Sequence, residues 1–124
     1  MFDDDKLTGR IINLAMEVHT TFGPGLLESA YEDCLCLELG DAGIPFRRQV
    51  GIATAYKSHA IADTYRADIV VADRVIVELK FVEALTRLYE AQILTYLRLS
   101  GHRIGLLLNF NVLRLKQGLR RYVV

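Results

Sequence analysis

The alternation of helical and extended patterns along the chain predicts a mixed α/β fold. It has a central sheet flanked by helices, in the order ααβββαβ, with an optional strand at the end. Three observations carry this expectation. Leu7, Ile11, Leu14, Ala15 and Val18 recur at helical spacing. Ile69-Val70-Val71 and Val75-Ile76-Val77 are β-branched runs of strand length, broken by the polar Ala72-Asp73-Arg74. Residues 104–110 are almost continuously apolar, as in a strand covered on both faces. At 124 residues the chain fits one domain spanning 1–124, and a 52% hydrophobic content excludes disorder.

The first helix has an N-terminal signal in Asp3 to Asp5 and ends at Phe22-Gly23-Pro24-Gly25. His19, near its end, is expected to cap or pair locally, not to ligate a metal. A second helix is expected from about 24–26 to 39, with Gly40 and Gly43 at its exit. In it Glu28, Tyr31 and Glu32 share one face by their i, i+3, i+4 spacing, while Ala30, Cys34 and Leu37 are expected to pack inward. Residues 45–56 read as a strand with Val50, Ile52 and Thr54 on one face and Arg47, Gln49 and Gly51 on the other. Lys57-Ser58-His59-Ala60 is the expected turn, with His59 exposed. Leu85, Leu88, Tyr89, Gln92, Tyr96 and Leu99 have helical period, and Ser100-Gly101 stops that helix. Asn109 and Asn111 read as turn formers, and residues 119–124 as the optional edge strand.

The chemistry concentrates in the central hairpin. If Ala72-Asp73-Arg74 forms the loop, Asp68 and Glu78 lie equally far from its centre and face each other across the strands. Alternation then puts Glu78, Lys80 and Asp68 on one face, together with Arg66. A two-residue turn would break this parity. Opposed β-carbons sit about 4.5–5.5 Å apart, so the two carboxylates can hold one cation. Without it they repel each other and lose hydration in strands this apolar. A hard divalent ion suits such oxygen donors. Lys80 would then stand beside it; the alternative is a structural ion pair closing the acids. Arg66 either meets a phosphate or pairs with an acid.

The pattern Asp68 followed by Glu78-Leu79-Lys80 resembles the signature of the PD-(D/E)XK nuclease superfamily. Gly25-Leu26-Leu27-Glu28-Ser29-Ala30-Tyr31 is similar to the motif of its GxxExxY family. Similarity continues through Tyr65-Arg66-Ala67-Asp68, Glu90 to Tyr96 and Gly105 to Asn111. The position often filled by a Pro-Asp pair is Ala67-Asp68 here. The resemblance implies a restriction-endonuclease-like sheet and a nuclease using Mg²⁺ or Mn²⁺. Asp68 and Glu78 would bind the metal with Glu28 as third acid, and Lys80 would polarise the attacking water or stabilise the transition state. Gln92 and Tyr96 would hold the water or a phosphate. Tyr31 would orient a carboxylate or lean against substrate. The implied partner is nucleic acid, DNA in preference to RNA; the runner-up is a non-catalytic module of the same fold that binds nucleic acid or a protein.

Charge and composition bound the other readings. Net charge is zero, yet Arg98, Arg103, Arg114, Lys116, Arg120 and Arg121 lie in residues 98–124 without an Asp or Glu. That tract either contacts phosphates or is a solvated face balanced by acids elsewhere. Cys34 and Cys36 are two apart in a helical pattern, so they are expected to remain reduced thiols. An acidic start and charges within every apolar segment predict a cytoplasmic chain without membrane spans. There is no Gly-rich phosphate loop carrying lysine and serine, and no His, Ser or Cys pairing suited to nucleophilic catalysis. A chain this small leaves little surface for a specificity domain, so a homodimer or larger complex is expected to present substrate.

Overall fold

The computed structural model describes residues 3–124, with the backbone alone for residues 62–64. Helix α1 spans Asp4–Phe22. Asp3 caps it, its Oδ1 accepting from Asp5 N at 3.0 Å and Lys6 N at 3.2 Å, which satisfies donors that an uncapped helix leaves free. Leu7, Ile11, Ala15 and Val18 turn inward as their spacing predicts. His19 differs from expectation. It is buried, and its Nε2 lies 3.2 Å from Phe110 O and 2.8 Å from Val112 O, so it ties α1 to a remote loop instead of pairing locally.

Helix α2 spans Glu28–Asp41, starting later than the sequence suggests. The reason is Tyr31, whose hydroxyl donates to Gly23 O and accepts from Leu26 N at 3.0 Å, holding the connection in a non-helical path. The buried face is also the opposite of the expected one. Tyr31, Glu32, Leu35, Cys36 and Leu39 point inward while Leu37 is 69% exposed. Apolar residues are spread around this helix, so spacing alone does not choose its inner face. Cys36 is buried, Cys34 partly so, and both are free thiols.

Strands β1 (Phe46–Tyr56), β2 (His59–Val71) and β3 (Val75–Lys80) form an antiparallel meander. The first turn is the pair Lys57-Ser58, both at positive φ (48° and 70°), shorter than the four residues expected. The second is the three-residue loop Ala72-Asp73-Arg74, between the pairs Val71–Val75 and Val70–Ile76. Helix α3 (Arg87–Ser100) leads to β4 (Ile104–Asn109), which lies parallel to β3. A short 3₁₀ turn, Leu115–Gly118, then feeds β5 (Leu119–Val123), the edge strand, antiparallel to β4.

The five strands are ordered β1-β2-β3-β4-β5. Leu7, Ile11, Ala15, Leu35 and Leu39 pack one face against Ile69, Val71, Val77, Leu79, Leu106 and Leu108. On the other face Leu97 of α3 packs on Ile52, Ala67, Val70 and Ile76. Gly105 admits α3 closely: a Cβ there would stand 2.9 Å from Ile93 Cδ1. Every residue of β4 is buried, as its unbroken apolar run requires. The inner residues of α3 are Ile93 and Leu97, while Leu88, Gln92 and Leu99 of the expected stripe are exposed. No described helix is long and apolar enough to cross a membrane.

Candidate functional site

The β2–β3 ladder ends at Ile69–Val77. One step further, Asp68 and Glu78 meet at the predicted register, but by side chain instead of backbone. Glu78 Oε1 accepts from Asp68 N at 3.2 Å, and Asp68 Oδ2 accepts from Leu79 N at 2.8 Å. Beyond this point β3 stays with β4 as far as Lys80–Asn109 while β2 stays with β1. The two acids therefore fill the fork where the strands part.

Strict alternation does not hold through Asp68. Arg48, paired with Ile69, reaches α2, whereas Val50, paired with Ala67, packs on the α3 side. The facing of both strands reverses between these pairs. Gln49 is responsible, with its φ of 49° in the left-handed region. Its Nε2 donates to Glu32 Oε1 at 2.8 Å and to Asp68 Oδ1 at 3.5 Å. Glu32 is buried and also accepts from Arg48 Nε (3.0 Å) and Nη2 (2.7 Å). A polar chain thus runs from α2 through Gln49 to Asp68. Arg66 consequently does not pair with Asp68 as a shared face suggests; its Nη1 donates to Gln49 O at 3.2 Å and the residue is exposed.

Glu78 is only 5% exposed. Loss of hydration, followed by the neighbouring Asp68 charge, pushes its carboxyl up to about 9. Glu28, the first residue of α2, stands at the rim. Partial desolvation and then Asp68 raise its carboxyl as well. No three His, Cys, Asp or Glu side chains among the described residues are gathered into a ready cage, and Glu28 is joined to the pair only through the Asp68 charge acting on its carboxyl. The donors are all oxygens and mutually repulsive, which fits a hard divalent cation that keeps several waters.

Lys80 makes no ion pair with either acid among the described residues; its Nζ lies 5.1 Å from the Tyr89 ring centroid. Its backbone is fixed from β4: Phe110 N donates to Lys80 O at 2.9 Å. The buried Asn109 clamps the next turn, accepting from Val82 N (3.1 Å) and donating to Val82 O (2.9 Å). On α3, burial and then the charges of Glu78 and Asp68 raise the Tyr96 hydroxyl, so it remains a donor at neutral pH. Gln92 lies one turn away and is exposed.

Tyr31 is a correction to the expected substrate contact. It is fully buried, its ring stacks on Phe110 at 4.3 Å between centroids, and its hydroxyl is spent on Gly23 and Leu26. Sequence reasoning also passed over Gln49, Glu32 and Tyr89. The periodicity of Tyr89 was visible, but a cation over its face depends on where Lys80 leaves the sheet. A model of the PD-(D/E)XK nuclease superfamily matches residues 5–122. No curated protein and no solved structure matches the chain.

Proposed function

Since the chain belongs to the PD-(D/E)XK nuclease superfamily, we propose that it is a divalent-metal-dependent phosphodiester hydrolase acting on nucleic acid, DNA in preference to RNA. The carrying observation is the pair Asp68 and Glu78, brought together in the fork of the sheet by the Asp68 and Leu79 amides, with Lys80 making no ion pair to either among the described residues. Its finer placement, in the GxxExxY family, rests on Glu28 and Tyr31 in their motif and on the later motifs of the chain.

Asp68 and Glu78 would hold Mg²⁺ or Mn²⁺, with Glu28 reaching from the rim. When bound, the ion supplies a water of lowered pKa and positive charge for phosphate oxygens. The chain's own groups do the remainder. Lys80 carries a positive charge toward the phosphoryl group, where charge grows in the transition state. Tyr96 donates from its hydroxyl, and Gln92 offers an amide on the same side of α3. Gln49 and Glu32 hold Asp68 in place.

Calorimetric titration with Mn²⁺ and Mg²⁺ tests this reading. Saturable binding is expected in the wild type and is weakened at least tenfold in Asp68→Asn. Lys80→Ala is expected to retain metal affinity while losing 10²-fold or more of cleavage, on the scale of a lost transition-state donor. If wild type binds no metal even with an oligonucleotide present, the site is a closed polar cluster and the fold serves binding alone.

A further inference from the structure

The β1–β2 hairpin continues outward past α3. Val50 and Ile52 belong to the face packed with Tyr96 and Leu97. That face runs on through the pairs Ile52–Tyr65, Thr54–Ile61 and Tyr56–His59, with a register shift between Ile52 and Thr54. Here Tyr65, Ile61 and Tyr56 are 37%, 41% and 64% exposed. Large apolar side chains in succession along one ribbon face indicate a contact surface more than scattered exposure does.

This surface begins at the acids. The Tyr65 ring centroid lies 5.7 Å from that of Tyr96, an α3 residue whose hydroxyl feels the charges of Glu78 and Asp68. Its margins are cationic. Lys57 Nζ lies 5.3 Å from the Tyr56 ring centroid, and on the reverse side of the ribbon Arg66, anchored on Gln49 O, is open to solvent. Residues 53–66 contain Lys57, Arg66 and His59 against one acid, Asp63. Exposed aromatic faces interleaved with cations match the two repeating parts of a nucleic-acid strand, base and phosphate. Base faces are hidden inside a duplex and open in an unpaired strand, so the rings select the latter.

We propose that this arm binds an unpaired nucleic-acid strand. Its bases stack on Tyr65 and Tyr56, its phosphates meet Lys57, and an unpaired end or flap is thereby led toward Asp68 and Glu78. The inference rests on the nuclease reading for the fate of the strand, and not for its binding. Stacking is tolerant of base identity, so recognition by strandedness and not by sequence follows.

Binding is measured on the full chain in EDTA by anisotropy of labelled single-stranded and duplex oligonucleotides of one sequence. The chain has six tyrosines and no tryptophan, so tyrosine emission gives a second signal, quenched on stacking. The single strand is expected to bind about tenfold or more tightly than the duplex. Tyr65→Ala and Tyr56→Ala are each expected to lose about tenfold of that affinity, with Tyr65→Phe retaining it and melting temperatures unchanged. Equal or tighter duplex binding, or unaltered affinity in both alanine variants, overturns the proposal. So does a dimer in solution that Tyr56→Ala dissociates, because the face is then occupied by a second copy. A protein that binds single strands in this way yet never cleaves with Mn²⁺ loses the nuclease reading and keeps the arm. One that cleaves duplex with Tyr65→Ala as active as wild type does the reverse.

Discussion

Gln49 holds a φ of 49°, a conformation that costs a non-glycine residue on the order of 1 kcal/mol and persists where surrounding structure enforces it. Its compensation is the amide bridging Glu32 and Asp68. Gln49→Gly relieves the strain and removes the bridge together. It is expected to change the melting temperature little, relief of the strain offsetting the donor lost from buried Glu32 Oε1, while weakening Mn²⁺ binding about tenfold, the usual effect of losing a partner behind a metal ligand. Gln49→Asn tolerates the backbone but is too short to bridge, so the same affinity loss is expected. Calorimetry beside thermal melting decides this; if both quantities fall in parallel, Gln49 only supports the fold. Asp68 and Glu78 could be read from the sequence because their equal distance from Asp73 is a matter of counting. Gln49 could not, because alternation assumes negative φ throughout a strand. Tyr31 departs from its expected contact for a different reason: helical spacing groups residues on a face without saying which face is covered.

At the scale of elements, Lys80 is placed by β4 more than by its own strand. Asn109 holds Val82 on both its N–H and its C=O, and Phe110 N holds Lys80 O. Asn109→Ala leaves the amides of Val82 and Asn111 without their acceptor, while Asn111 Nδ2 still holds Val82 O at 3.2 Å, at a cost of about 2–3 kcal/mol. Near 4 °C of melting temperature per kcal/mol is the scale for a chain of about this length, so a fall of roughly 8–12 °C is expected. Gly118→Ala attacks the same clamp from the other side, because its Cβ would stand 2.2 Å from Asn109 O. Backbone must shift to admit it, and a loss of about 1–3 kcal/mol follows. Cleavage should fall in both variants more than metal affinity does, since Asp68 and Glu78 lie outside the clamp; equal losses would show that the strap supports the whole fork. The sequence marked Asn109 as a turn former, which describes its position at the end of β4. Its long-range work on the residues after Lys80 depends on the parallel pairing of β3 and β4, and a crossover leaves no local pattern.

For the whole molecule, element order and the edge strand β5 followed from patterning because each buried face has its own period, two in strands and about 3.6 in helices. Net electrostatics did not follow, because desolvation depends on packing. Glu78 is the clearest case. Its carboxyl is raised from the ordinary range to about 9 in the folded chain, while in the unfolded chain it returns to about 4.3. The folded state therefore binds a proton that the unfolded state has released throughout that interval, and metal-free stability falls as pH rises through it. Cys36, held up to about 11 by burial, acts in the same direction but only once an unfolded thiol begins to ionise, above about pH 8. Asp4 and Asp73, lowered by Arg74 and His102 respectively, act oppositely and only in acid. Glu28, whose carboxyl is also raised, acts in the same direction as Glu78, so the interval from pH 5 to 8 reports these two acids together and the Glu78→Gln variant separates them. A divalent cation favours the ionised acid and displaces its proton, so stabilisation by Mn²⁺ should grow with pH across the same interval. Thermal melts at pH 5, 6.5 and 8, in EDTA and in Mn²⁺, are expected to diverge steadily. Glu78→Gln should flatten the EDTA series, raise metal-free stability at pH 8 and abolish the divergence. An unchanged slope in that variant would move the proton to another group and leave the fork without its electrostatic reason to take a metal.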